Sequence, residues 1–73
     1  MRGATLLAAF LRREKLSQAE FARLHGFSGP LLNMWLSRQR TPGRRNSQRL
    51  VDATRGAVPV ASWDVPVRRP RAA

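Results

Sequence analysis

Residues 16–36, LSQAEFARLHGFSGPLLNMWL, hold two helical patterns separated by one Gly. The first opens on Ser17-Gln18-Ala19-Glu20. This S-x-x-E spacing lets the Ser side chain and the Glu side chain each satisfy a backbone N–H that the first helical turn leaves without a partner. Leu16 before the cap and Phe21 after it form the accompanying apolar clasp. Ala22 and Leu24 continue the apolar pattern, and Gly26 ends it, as a residue free to adopt positive φ does. Ser28 is a good N-cap for the next helix, and Pro30 is tolerated in a first turn whose amides lack intrahelical partners. Helix, tight turn, helix is therefore imposed locally. On a wheel of ~100° per residue, Leu32, Trp35 and Leu36 gather on one arc. Pro30, Asn33, Met34 and Ser37 gather on the other, with Leu31 on the border. The first arc predicts core and the second an open face.

The remaining elements follow from periodicity. Leu6, Leu7, Phe10 and Leu11 predict a helix over 4–14, closed by Arg12, Arg13, Glu14 and Lys15. RTPGRR, residues 40–45, reads as a turn. A fourth helix is expected from about Arg45 to Thr54, ended by Gly56, with a thin apolar face of Leu50, Val51 and Ala53. Val58, Pro59, Val60 and Trp63 form a closing apolar segment, either a helical turn or an extended strand. Trp35 falls on the buried arc, and Trp63 is expected to cap the core or fill a dimer contact. The tail VPVRRPRAA carries no core pattern and reads as disordered. One domain over 1–65 followed by a basic tail over 66–73 is the expected organisation, and 73 residues leave no room for a second domain.

With no Cys, neither disulfides nor thiolate metal sites can support the fold. One His and four acids at positions 14, 20, 52 and 64 offer no nucleophile with an oriented base and no ligand cluster. His25 is better placed to complement the C-terminal dipole of its helix. The expectation is a non-enzyme with no catalytic residues, no cofactor, no metal and no small-molecule ligand. ATLLAAFL, residues 4–11, runs straight into RREK without a cleavage pattern and is far shorter than the ~20 apolar residues of a membrane span. No membrane association is expected, and a cytoplasmic location is.

Charge supplies the functional hint. Thirteen of the fourteen basic residues are Arg, the formal net charge is +10, and no acid lies between Glu20 and Asp52. Such an imbalance suits a polyanion, because neutralising phosphates releases condensed counterions. The planar guanidinium fork favours phosphate and base edges over simple solubility, which Lys would serve as well. Within this basic chain the helix from about 28 to 38 keeps bulky charge off its open arc. Asn33 can pair with adenine, Ser37 can donate or accept, and Pro30, Leu31 and Met34 can meet thymine methyls. Arg38, Arg40, Arg44 and Arg45 follow where the chain would leave a groove and meet phosphates.

Residues 16–42 resemble, without a gap, the Cro-like (XRE-like) helix-turn-helix regulators of phage and bacteria. The resemblance rests on L-S-Q-A-E-F-A, on G-F-S at 26–28, on Leu32 and Trp35, and on W-L-S-R-Q-R-T-P. A-T-R-G-A-V-P, residues 53–59, is similar to the family's following segment, so the likeness covers about residues 4–63. It implies an all-α, compact four- to five-helix bundle of the lambda-repressor-like type, often a homodimer on a two-fold related double-stranded DNA operator. By position it implies that Gln18 clamps a phosphate or braces the reading helix. Ser28, Gly29, Pro30, Leu31, Asn33 and Met34 would fill the base-reading region, with Ser37 and Arg38 behind them. Two departures stand out. His25 replaces the family's buried Leu, and Gly29, Pro30 and Leu31 stand where polar residues are common, which shifts discrimination towards methyl contacts and DNA shape.

The expected function is thus a sequence-specific transcriptional regulator, a repressor first, acting in the bacterial nucleoid or a phage-infected cell. Arg68, Arg69 and Arg71 are either a DNA-binding arm or a solubilising tail. Two other classes use the same residues: an antitoxin- or adaptor-like module that docks a protein, and a non-specific nucleic-acid binder driven by charge alone.

Overall fold

The computed structural model describes residues 2–63; Arg68, Arg69, Arg71 and the expected boundary at residue 65 lie outside them. The described chain is all-α: α1 (Gly3–Glu14), α2 (Gln18–His25), α3 (Gly29–Leu36), α4 (Arg44–Thr54) and a closing 3-10 turn (Val60–Trp63). The closing segment is therefore helical, the first of its two expected forms. Among the described residues no helix is long and apolar enough to cross a membrane.

The local signals act where they stand. The Ser17 hydroxyl accepts from the Glu20 amide at 3.0 Å, and Glu20 Oε1 accepts from the Ser17 amide at 2.8 Å. The Ser17 amide, and after it the Ser17 hydroxyl, favour the charged form and hold the Glu20 carboxyl below its ordinary range. Gly26 takes φ +72° at the end of α2, and the Ser28 hydroxyl accepts from the Leu31 amide at 3.3 Å to start α3. α1 and α4 end differently: Lys15 (φ 59°) and Arg55 (φ 55°) occupy the left-handed region where Gly is the strain-free choice.

The core is one cluster joining all the elements, with Leu7, Phe21, Leu32, Trp35, Leu50 and Val58 removed from solvent. A row of rings crosses the α2–α3 turn. Phe21 meets Phe10 edge-on at 6.1 Å and stacks on Phe27 at 5.7 Å, and Phe27 meets Trp35 edge-on at 5.8 Å. Offset-stacked and edge-to-face pairs of this kind add to the apolar burial itself. Phe27, a turn residue, is thus the hub that locks α2 to α3.

Leu24 departs from expectation and is 64% exposed. With Phe21 and Ala22 both buried, the inward direction of α2 lies between them, and Leu24 projects more than a quarter-turn away from it. His25 points nearer that direction, and its ring lies 4.7 Å from Phe21 at the helix end while staying exposed. α4 is held by polar as well as apolar burial. Thr54 Oγ1 donates to the Leu50 carbonyl at 2.6 Å and accepts from the Val58 amide at 3.1 Å, and Ser47 Oγ donates to the Pro42 carbonyl at 3.3 Å. The fold closes where Trp63 lies over Gly3, so α1 begins under an indole ring that leaves no space for a side chain at that position. Trp63 Nε1 is buried with no acceptor among the described residues.

Candidate nucleic-acid interface

Burying Leu32 and Trp35 turns the opposite side of α3 outward. Of the arc read from the wheel, Pro30, Asn33 and Ser37 are exposed and Met34 is half-buried; Ser28 and Gly29, just before it, are exposed as well. Asn33 has no side-chain hydrogen bond to another described residue and keeps its carbonyl and amide free to pair. The Ser28 hydroxyl uses one lone pair on Leu31 and keeps its hydrogen. The Ser37 hydroxyl donates to the Met34 carbonyl at 3.3 Å and keeps only acceptor capacity.

Leu31 and Met34 sit deeper than their neighbours on that arc. Both are half-buried, and Leu31 packs against the core. Each therefore presents only part of its side chain to a groove. The Met34 carbonyl also receives the Gln39 amide at 2.9 Å and the Arg40 amide at 3.3 Å, which turns the chain sharply out of α3. Gln18 is exposed in the first turn of α2.

The cations divide into two kinds. Arg40, Arg44 and Arg45 are exposed and make no ion pair among the described residues. Arg44 and Arg45 lie in the first turn of α4, which has no acid and no side-chain cap because Gly43 is the N-cap. A helix N-terminus carries partial positive charge, so two cations there reinforce it. Arg38 differs. It adopts φ 67°, and its Nη2 donates to Thr5 Oγ1 of α1 at 2.7 Å. It reaches the expected phosphate set with one donor already committed to holding the end of α3 on α1.

One residue behind this face, outside the set that would meet DNA, carried no local signal. Arg49, on α4, sends Nη2 to the carbonyls of His25 (3.1 Å) and Gly26 (3.0 Å) and Nη1 to Asn46 Oδ1 (3.2 Å). Its guanidinium carbon lies 4.4 Å from the centre of the Phe27 ring. It ties α4 to the turn that launches α3.

A groove of about 470 Å³ lies away from this face, between the C-terminal ends of α1, α2 and α4, with Phe10, Leu16, Ala53 and Ala57 on its walls and no residue of α3. Nothing in the sequence pattern marked it. Among the described residues no group of three or more His, Cys, Asp or Glu side chains could hold a metal. Comparison of the chain with protein-family models, with curated proteins and with solved structures found no match.

Proposed function

We propose that this chain is a sequence-specific double-stranded DNA-binding regulator, a repressor in the first instance, that lays α3 in the major groove. One observation carries the reading. α3 turns an acid-free, uncharged face of Ser28, Pro30, Asn33 and Ser37 to solvent above buried Leu32 and Trp35, and the exposed Arg40, Arg44 and Arg45 follow it in the chain, through the start of α4. A face that must enter a groove between two rows of phosphates gains from short polar side chains at its centre and cations at its edge. A surface evolved for solubility alone has no reason to segregate the two. Asn33 reads a base edge, Ser28 donates to a base or a nearby phosphate, Ser37 accepts from a base amino group, and the exposed parts of Pro30, Leu31 and Met34 touch methyl groups. Gln18 and the first turn of α4 hold the backbone on either side.

Selection of bound duplexes from a random DNA pool at physiological salt tests the proposal. The expected result is an enriched motif bound ~10³-fold or more above random DNA. Asn33→Ala should then cost ~1–3 kcal/mol on that motif and relax one base position. Arg44→Ala should weaken every sequence and flatten the salt dependence by about one unit. Equal affinity for all duplexes would leave only charge-driven binding.

A further inference from the structure

We propose that Arg49 is a positioning residue that fixes the angle of α3 relative to the start of α4, and so sets sequence discrimination without touching DNA. The inference rests on the DNA-reading proposal above and concerns what aims the helix rather than what reads the base.

The carbonyls of His25 and Gly26 stand at the end of α2, where the helix leaves its last acceptors without intrahelical donors. A side chain from another helix supplies them: Arg49 Nη2 reaches both, at 3.1 and 3.0 Å. The same guanidinium lies over the Phe27 ring at 4.4 Å, and Phe27 is itself wedged against Phe21 and Trp35. Asn46 Oδ1 holds the other end of the fork at 3.2 Å. Three acceptors and a ring face thus determine one guanidinium plane. That plane joins the residues immediately before Ser28, the cap of α3, to the middle of α4.

Arg45 lies four residues before Arg49, one turn up the same side of α4. The clamp therefore sits between the turn of α4 that faces phosphates and the turn that starts the reading helix. Phosphate contacts place the domain on the duplex, and base contacts require α3 to meet the base edges at a set angle. A rigid link between the two converts backbone grip into register. Lys cannot replace it, because an ammonium is a point donor with no plane to span separated carbonyls and cover a ring.

The test compares the wild-type chain with Arg49→Lys, which preserves net charge. Affinities for the selected duplex and for a random duplex of equal length are measured across a salt series, alongside thermal melting and amide hydrogen exchange. The expected Arg49→Lys protein melts cooperatively and binds random DNA with the wild-type salt slope. Its preference for the selected duplex falls about tenfold or more, comparable with one mismatched base pair. Exchange at the amides of Phe27 and Leu31 quickens relative to those of α1. A merely structural role would lower melting and both affinities together and leave their ratio unchanged. A selective wild type with an equally selective Arg49→Lys overturns this inference alone; a wild type with no preferred duplex overturns the DNA-reading proposal and this inference with it. If Arg49→Lys does not fold, NMR of the wild-type protein decides the matter. Separately resolved Arg49 Nη protons shifted by the Phe27 ring support the clamp, and a freely rotating guanidinium refutes it.

Discussion

Gly3→Ala puts a single methyl group against the Trp63 indole, and its effect can be worked from the packing. The new Cβ would overlap Cδ2 and Cε3 of the ring and lie 2.6 Å from Cε2. Carbon atoms in contact settle at ~3.5–4.0 Å, so the ring must retreat by about 1 Å. Trp63 is only 4% exposed and belongs to the main core cluster, so its retreat moves neighbours that are already packed. Forcing an extra methyl group into a filled core costs ~1–3 kcal/mol. The opposing term is helix propensity, worth at most ~1 kcal/mol for Gly→Ala and less in a first turn. A net loss of roughly 1–2 kcal/mol should lower the melting temperature by about 5–15 °C in a domain of this size. Thermal melting followed by circular dichroism measures it. The sharper assay repeats Gly3→Ala in a Trp63→Leu background, where the overlapping ring is gone. There the change should become neutral or slightly stabilising, a non-additivity that only direct contact produces. If Gly3→Ala raises the melting temperature of the wild-type chain, as propensity alone requires, the packing argument is refuted.

Other changes probe single contacts. Thr54→Val should cost ~1–3 kcal/mol, because the Val58 amide is left buried without its acceptor; a denaturant midpoint equal to wild type would show that the amide has another partner. Arg55→Gly should gain roughly 0.5–1 kcal/mol, the left-handed cost of a side chain less the added flexibility of Gly, and an unmoved or lower melting temperature would count against it. Glu20 is held below its ordinary range by the Ser17 amide and hydroxyl, so its capping contribution is complete above the unfolded carboxylate value and is lost as pH falls through the lower folded value. Melting temperature should therefore decline on acidification through that window, and Glu20→Gln should decline less; parallel curves would remove Glu20 from the acid response.

The helical framework could be read from sequence wherever its cause was local. Ser17 with Glu20, Gly26 and Ser28 act on backbone within four residues, so their letters carry their structure. The open face of α3 was legible for the same reason, since Leu32 and Trp35 at helical spacing define a buried side and hence its opposite. Contacts spanning the chain were not legible. Thr5 meets Arg38, Arg49 meets His25 and Gly26, and Gly3 meets Trp63 only because the fold brings them together. Short helices also blur the wheel: in the eight residues of α2, Leu24 fits an apolar pattern and still faces water. Ser47 and Thr54 look like surface residues by type, and burial suits them because neighbouring backbone groups satisfy their hydroxyls.

The meeting of Gly3 with Trp63 also bears on how the chain acquires its shape in time. A polypeptide is delivered from its first residue onward, so α1 emerges long before the ring that covers its start. Until residue 63 is free, that end of α1 stays wetted and the bundle has an unroofed side. A shortened chain lacking Trp63 should show the same gap permanently. The adjacency equally recommends a circularly rearranged chain, joined across these neighbours and opened in the 40–43 turn, as one that keeps the roof in place.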